Sequence, residues 1–217
     1  MSVDILRPCR RAAGSLLASL GMVIAIAATP AESAVIEGVE FPASIDASDD
    51  ELALFGMGLL RYRVVFRGYV GALYLPEELF GELEGRSRSD LRSSHSGALA
   101  WDRGPDVPRA LELRYFWAIK GNLFGEAADE LLKRNLSTKE LDAIQSRLDE
   151  LNKLYRDVEE GDRYRLTYET GKGTTLSYNG KALGTIPGRD FADAYFSIWL
   201  GKDPISTAFR DQILEGR

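Results

Sequence analysis

An arginine and a tyrosine, Arg61 and Tyr69, lie within one strongly apolar stretch, "GLLRYRVVFRGYVGALYLP" (58–76). A guanidinium in a mostly apolar cleft binds a carboxylate or an enolate through paired hydrogen bonds, and a tyrosine hydroxyl can add another. The eight-residue spacing puts both residues on one face of an unbroken strand, but about 26 Å apart. A shared ligand site therefore needs a hairpin, a bend or a bulge, for which Gly68 and Gly71 are suitable.

The same stretch also allows a purely structural interpretation. Its residues alternate with a period of two, which is typical of one long, half-buried strand over 58–76. Arg61 shares its face with Arg63 and Arg67, so all three guanidinium groups could reach solvent while their stems cover the sheet. A bulge between residues 63 and 67 would separate them. Tyr69 could equally be a core tyrosine whose hydroxyl is satisfied within the protein.

The motifs of most enzyme classes are missing from the sequence. "GMG" (56–58) precedes a strand and "GKGT" (171–174) lies in an expected hairpin, so neither is typical of a nucleotide-binding loop. The single histidine, His95, lies in a polar segment, and adjacent acids such as Asp49 and Asp50 fall at turns. Metal-dependent, histidine-based and paired-carboxylate catalysis are therefore not expected. We assign no catalytic residues, no metal and no cofactor.

Residues 1–33 are typical of a Sec-type signal peptide. Three arginines precede the apolar run "SLLASLGMVIAIAA" (15–28), and small residues follow at the cleavage positions. We expect cleavage near Ser33/Ala34 and a periplasmic or secreted protein. An uncleaved leader is the alternative, and the only route by which we expect membrane contact. The only cysteine, Cys9, would leave with the leader, so the remaining single domain, 34–217, has no disulfide.

The charge balance argues against nucleic acid as a partner. The net charge is −6 over 217 residues, and no basic block occurs. Binding a phosphate backbone requires clustered lysine and arginine side chains. The sequence leaves the oligomeric state open.

The elements expected around the apolar stretch are strands, then helices, then strands and helices again. Strand patterns cover the start of the domain and "ALELRYFWAIKG" (110–121), while 84–98 lacks periodicity and is expected to be a mobile loop. Two helices follow, the second opened by a capping box of Ser137 and Glu140. A meander over 161–188 and two more helices complete the chain. Strands segregated from helices predict an α+β fold, an antiparallel sheet with helices on one side.

Four more aromatic residues are candidates for the wall of a cleft. Tyr115 and Trp117 share a face of the strand over 110–121. Tyr195 and Trp199 fall on the apolar stripe of the helix that is expected after the meander, capped by Asp190. Core packing is the simpler interpretation of Tyr195 and Trp199.

Four segments together resemble the bacterial chalcone isomerase-like proteins: the 58–76 stretch, "LELRYF", "GDRYRLTYETGKGTTLSYNGKALGTIPGRDF" and "DAYFSIWLGKDPIS". The resemblance spans about residues 36–214. It implies an open-faced β-sandwich, in which a large antiparallel sheet and a helical layer enclose a cleft. Helix stripes line the cleft in this family, which makes Tyr195 and Trp199 candidate wall residues.

The resemblance also implies two functions. Plant members that are enzymes cyclise a chalcone to a flavanone with the help of an arginine, whereas fatty-acid-binding relatives use the arginine and a tyrosine to hold a carboxylate. Arg61 is similar to the family arginine. Tyr69 stands where the isomerases have threonine and is similar to the tyrosine of the binders. The isomerases' tyrosine and asparagine near the first long helix have no convincing match in "GNLFGEAADELLKRN".

We therefore expect an exported, non-catalytic binder of a fatty acid or a similar amphipathic carboxylate, held by Arg61 and Tyr69 in the cleft. The alternative is an isomerase, an intramolecular lyase acting on an enone or chalcone-like substrate. A third alternative is an interaction protein whose cleft is filled by side chains. The first hypothesis depends on Arg61 lying beneath the helices, where an acidic head group could reach it.

Overall fold

The computed structural model describes residues 33–47, 50–62, 66–81 and 106–216. The leader expected over 1–33 lies outside the described residues except for Ser33, and the loop expected over 84–98 lies outside them entirely. Within the described ranges, no helix has both the length and the apolar character needed to cross a membrane.

A seven-stranded antiparallel sheet forms the centre of the fold, and its strands are neighbours in chain order. They are β3 (Ser44–Ala47), β4 (Asp50–Tyr62), β5 (Phe66–Leu75), β6 (Arg109–Tyr115), β7 (Arg163–Glu169), β8 (Gly173–Tyr178) and β9 (Lys181–Ile186). Before them, β1 (Ala34–Ile36) and β2 (Val39–Phe41) pair as a separate hairpin. The expected hairpin at Asn179-Gly180 is confirmed, because these two residues have φ of 47° and 78° and connect β8 to β9.

In the described part of the chain, four α-helices accompany the sheet: α1 (Asn122–Asn135), α2 (Thr138–Asn152), α3 (Arg189–Leu200) and α4 (Thr207–Leu214). A short 3-10 helix, Glu77–Leu79, follows β5. The predicted capping box is confirmed at the start of α2. The Ser137 side chain accepts a hydrogen bond from the Glu140 N–H, and the Glu140 carboxylate accepts one from the Ser137 N–H at 2.7 Å.

All four helices cover the same face of the sheet. The larger hydrophobic cluster contains residues from each helix, including Leu132, Leu148, Phe196 and Ile213, packed against strand residues. The second cluster contains residues of strands β2 to β6 together with Phe116, which directly follows β6, and no residue of the four helices. The predicted α+β class, an open-faced β-sandwich with helices on one side, is confirmed.

The prediction of one long strand over 58–76 is wrong. β4 ends at Tyr62 and β5 begins at Phe66, and the two strands pair antiparallel with these residues opposite each other. The paired ends are an even number of residues apart, so a period-two pattern continues in phase across the reversal. Alternation alone therefore could not reveal the hairpin.

A β-bulge in this hairpin determines which side chains face the helices. Leu60 pairs with Tyr69 and Arg61 pairs with Arg67, which leaves Gly68 as an extra residue in β5. Leu60 and Tyr69 both belong to the cluster beneath the helices. Because successive strand residues face opposite sides, the position after Leu60 faces away from the helical layer.

Glycines allow α4 to lie directly against β4. A Cβ atom at Gly56 would collide with the backbone oxygen of Ile213, and one at Gly58 would lie 3.0 Å from the backbone oxygen of Phe209. The "GMG" segment therefore positions a helix against the sheet.

Candidate functional site

A cavity of about 260 Å³ lies between the sheet and the helical layer. Strands β5 to β8 form one wall, helices α1 and α3 form the other, and residues of the connecting segments complete it. The volume exceeds the roughly 150 Å³ that holds benzene and lies just below the range of about 300–1,000 Å³ that is usual for ligand pockets. A small or slender molecule fits a space of this size.

The lining of this cavity is almost entirely apolar. Leucine, isoleucine, alanine and Phe124 side chains make up most of it. Among the described residues, no arginine, lysine, histidine, aspartate or glutamate lines the cavity. The side chains that bring polar groups to it are Tyr69, Tyr115, Tyr155, Tyr164, Tyr195 and Trp199.

Tyr69 and Trp199 connect the two walls. The Trp199 indole Nε1–H donates a hydrogen bond of 2.9 Å to the Tyr69 hydroxyl, and both residues are buried. Burial raises the pKa of Tyr69 far above its ordinary value, and the hydrogen bond from Trp199 lowers it only in part. Tyr69 is therefore a neutral hydroxyl that accepts one hydrogen bond and keeps its own proton available to donate.

Tyr155 and Tyr195 form a second hydroxyl pair. Their oxygens are 2.7 Å apart, which joins the segment after α2 to α3. Tyr164 is different, because its hydroxyl accepts from the Arg156 N–H at 2.7 Å and donates to the Arg156 carbonyl at 3.0 Å. Tyr164 is therefore held by the backbone.

The Tyr115 hydroxyl has no hydrogen-bond partner among the described residues, although the residue is only 3% exposed. Its ring packs edge-on against the rings of Tyr69 and Phe124, with both centroid distances at 5.6 Å. Burial, followed by the nearby hydroxyls of Tyr155, Tyr69 and Tyr164, raises the pKa of Tyr115 well above its ordinary value. Tyr115 lines the cavity, so the hydrogen-bonding capacity of its hydroxyl is open to a ligand.

Exposed apolar side chains mark where the cavity reaches the surface. Leu123, at the start of α1, is 45% exposed, and Ile205, between α3 and α4, is 36% exposed. Both also line the cavity, as does the exposed Ala127 one turn after Leu123. The entrance therefore lies between α1 and the α3–α4 connection.

Four of the six candidate residues from the sequence lie in the lining, namely Tyr69, Tyr115, Tyr195 and Trp199. Arg61 and Trp117 do not. The Arg61 side chain is 50% exposed and lies 3.6 Å from the Glu37 carboxylate, in the turn between β1 and β2.

Trp117 is 55% exposed and donates to the Arg67 carbonyl oxygen at 2.5 Å, outside the cavity. The structure therefore does not place the Arg61 guanidinium where the carboxylate hypothesis requires it. The reason is the hairpin, since Arg61 belongs to β4, one position beyond the residue that faces the helices.

Sequence reasoning missed Tyr155 and Tyr164. Tyr164 carried a usable signal, because it alternates in phase with Leu166, and both line the cavity. Tyr155 carried none, because it follows the end of α2 in an irregular segment.

Within the described part of the chain, no three histidine, cysteine, aspartate or glutamate side chains come together in a way that could hold a metal ion. The lining described above also offers none of the charged or liganding groups that a phosphate-bearing cofactor uses.

An antiparallel sheet covered on one face by helices, with a cavity between the layers, defines the open-faced β-sandwich class. The chain belongs to the chalcone isomerase-like family, whose sequence profile matches residues 33–82 and 93–215. The fold is similar to the crystal structure of a fatty-acid-binding protein from Arabidopsis thaliana, with a TM-score of 0.62 and 19% sequence identity. That match covers 85% of this chain and 96% of the plant protein. A comparison with curated protein sequences found no match.

Proposed function

We propose that this protein binds a single-chain amphipathic lipid, such as a fatty acid, in the cavity and does not convert it. The observation that carries the proposal is the apolar lining with a few tyrosine hydroxyl groups. Such a lining suits a molecule with an apolar tail and one polar end. The family membership and the similarity in fold to a fatty-acid-binding protein support this ligand class.

The size of the cavity supports a tail of moderate length. Scaling from the cavity that holds benzene gives space for roughly ten non-hydrogen atoms. Each methylene group removed from water contributes about 0.8 kcal/mol, which provides several kcal/mol before the costs of association are subtracted. A longer tail can extend through the entrance beside Leu123 and Ile205.

Native mass spectrometry with decanol and decanoic acid tests the proposal. We expect a one-to-one complex with the unmodified protein. Ala127→Trp places a large side chain at the entrance and should abolish the complex. Ala143→Trp is the matched control, because Ala143 is an exposed alanine on α2 outside the lining. No complex with the unmodified protein, or equal binding by both variants, would contradict binding in this cavity.

The isomerase alternative requires stabilisation of an enolate. The hydroxyl groups could donate hydrogen bonds to one, but no described lining residue offers a charge to the developing anion. A lining that offers hydroxyl groups but no charge among its described residues favours binding over conversion. We expect the rate of chalcone cyclisation with the protein to equal the rate in buffer, and an acceleration that disappears in Tyr115→Phe would revive the isomerase alternative.

We also propose that the protein is exported and released by cleavage near Ser33/Ala34. The support is the pattern of basic, apolar and small residues at the start of the chain. The N-terminal sequence of protein recovered from the periplasm or the medium tests this, with Ala34 as the expected first residue.

A further inference from the structure

We infer that the cavity holds the polar end of its ligand in an uncharged form, an alcohol or a protonated carboxylic acid, among the hydroxyls of Tyr69, Tyr115, Tyr155 and Tyr195. These four residues are called the hydroxyl cluster below. The inference rests on the proposed function and specifies the head group of the lipid.

Burying a charge in this cavity is costly. An ionised carboxylate loses its hydration when it enters an apolar cavity, and the loss is recovered only if a cation pairs with it. No described residue of the lining carries a positive charge, and the arginine that resembles the family arginine, Arg61, is half exposed and faces Glu37. An uncharged head group avoids this cost.

Charged residues also lie around the cavity, outside its lining. The ones that act on the hydroxyl cluster and on Tyr164 are Asp129, Arg156, Asp157 and Asp162. None of them lines the cavity. Burial and then Tyr155 raise the pKa of Tyr195, and Asp129 raises it further. A carboxylate beside Tyr195 opposes an anionic ligand.

The hydroxyl cluster has hydrogen-bonding capacity that the described residues do not use. Each tyrosine hydroxyl can both donate and accept. Tyr115 has both capacities unused by the described residues, and Tyr69 accepts from Trp199 and keeps its proton to donate. An alcohol or a protonated acid also donates and accepts, so it can complete such a set, whereas a carboxylate can only accept.

A pH series with two probes of equal chain length tests the inference. Decanol has no ionisable group, so its Kd should stay constant from pH 5 to pH 8. A carboxylic acid is ionised above about pH 5, so the apparent Kd of decanoic acid should rise about tenfold for each pH unit. A constant Kd for decanoic acid between pH 6 and pH 8 would overturn the uncharged head group while leaving lipid binding intact. If neither probe binds, the proposed function and this inference both fail.

Tyr115→Phe tests the role of the unused hydroxyl. We expect decanol to bind about fivefold more weakly, which corresponds to the loss of one hydrogen bond, and decane to bind as in the unmodified protein. Tyr178→Phe is the matched control, since the Tyr178 hydroxyl donates to Asp162 and does not line the cavity. An equal loss for decane and decanol would show that Tyr115 acts only through packing and would overturn its part in the site.

Discussion

The indole N–H of Trp199 in α3 donates a hydrogen bond to the hydroxyl of Tyr69 in β5, at 2.9 Å. The two residues come from opposite walls of the cavity and both contribute to its lining. Because the bond is buried, it fixes the distance between the helical layer and the sheet beside the hydroxyl cluster.

Trp199→Phe should lower the free energy of unfolding by about 1–3 kcal/mol, because it leaves the Tyr69 hydroxyl without its buried donor. Urea denaturation measures this loss. Trp117→Phe is the control, since Trp117 is 55% exposed, and should cost less. Equal losses in the two variants would show that the buried bond has no special contribution.

Arg61→Ala should leave the affinity for decanol and decanoic acid unchanged within about twofold, because the exposed pair with Glu37 contributes little and lies outside the lining. Titration calorimetry gives the comparison. Arg67→Ala, which removes the other arginine that pairs with Glu37, should behave in the same way. A tenfold loss of decanoic acid affinity confined to Arg61→Ala would restore this residue as the anchor of a carboxylate.

Gly56→Ala should destabilise the protein by about 1–3 kcal/mol, the usual cost of overpacking. The added methyl group meets the backbone of Ile213, which cannot move aside without shifting α4. Gly81→Ala is the matched control, because a Cβ atom there meets nothing within 4 Å. Thermal or urea unfolding of both variants checks the prediction, and similar stabilities would contradict the close contact between α4 and β4.

Asp190→Asn should reduce stability at pH 7 by less than about 1 kcal/mol, since the Asp190 side chain is 62% exposed. Arg147 donates to both carboxylate oxygens, and this lowers the pKa of Asp190 below its ordinary value. The stabilisation is therefore complete above the unfolded pKa near 3.9 and is lost as the pH falls through the lower folded value. The stability difference between the two proteins should vanish in strong acid, and a difference that persists there would exclude the ion pair as its cause.

Local patterns predicted much of the fold. The capping box at Ser137 and the Asn179-Gly180 turn depend only on residues close in the chain, and the order of strands and helices gave the layer architecture. The reversal after Tyr62 could not be predicted, because the paired strand ends are an even number of residues apart, so the alternation continues in phase across the reversal, and no turn dipeptide interrupts it.

Local patterns also predicted part of the candidate site. Alternation and helix periodicity marked Tyr115, Tyr195 and Trp199 as apolar-facing, although they could not distinguish a cavity wall from a filled core. Whether Arg61 faces the cavity depends on the hairpin, which places it in β4 directly after a residue that faces the helices, and the alternation did not reveal this hairpin. Tyr155 reaches the cavity through a contact with Tyr195, 40 residues away, which no local pattern reports.

A crystal structure of the protein grown with decanol tests the central claim most directly. We predict electron density for one alcohol between the helical layer and the sheet, with its oxygen within hydrogen-bonding distance of Tyr115 and its chain directed towards Leu123 and Ile205. A cavity closed by its own side chains, or alcohol bound only elsewhere on the surface, would contradict it.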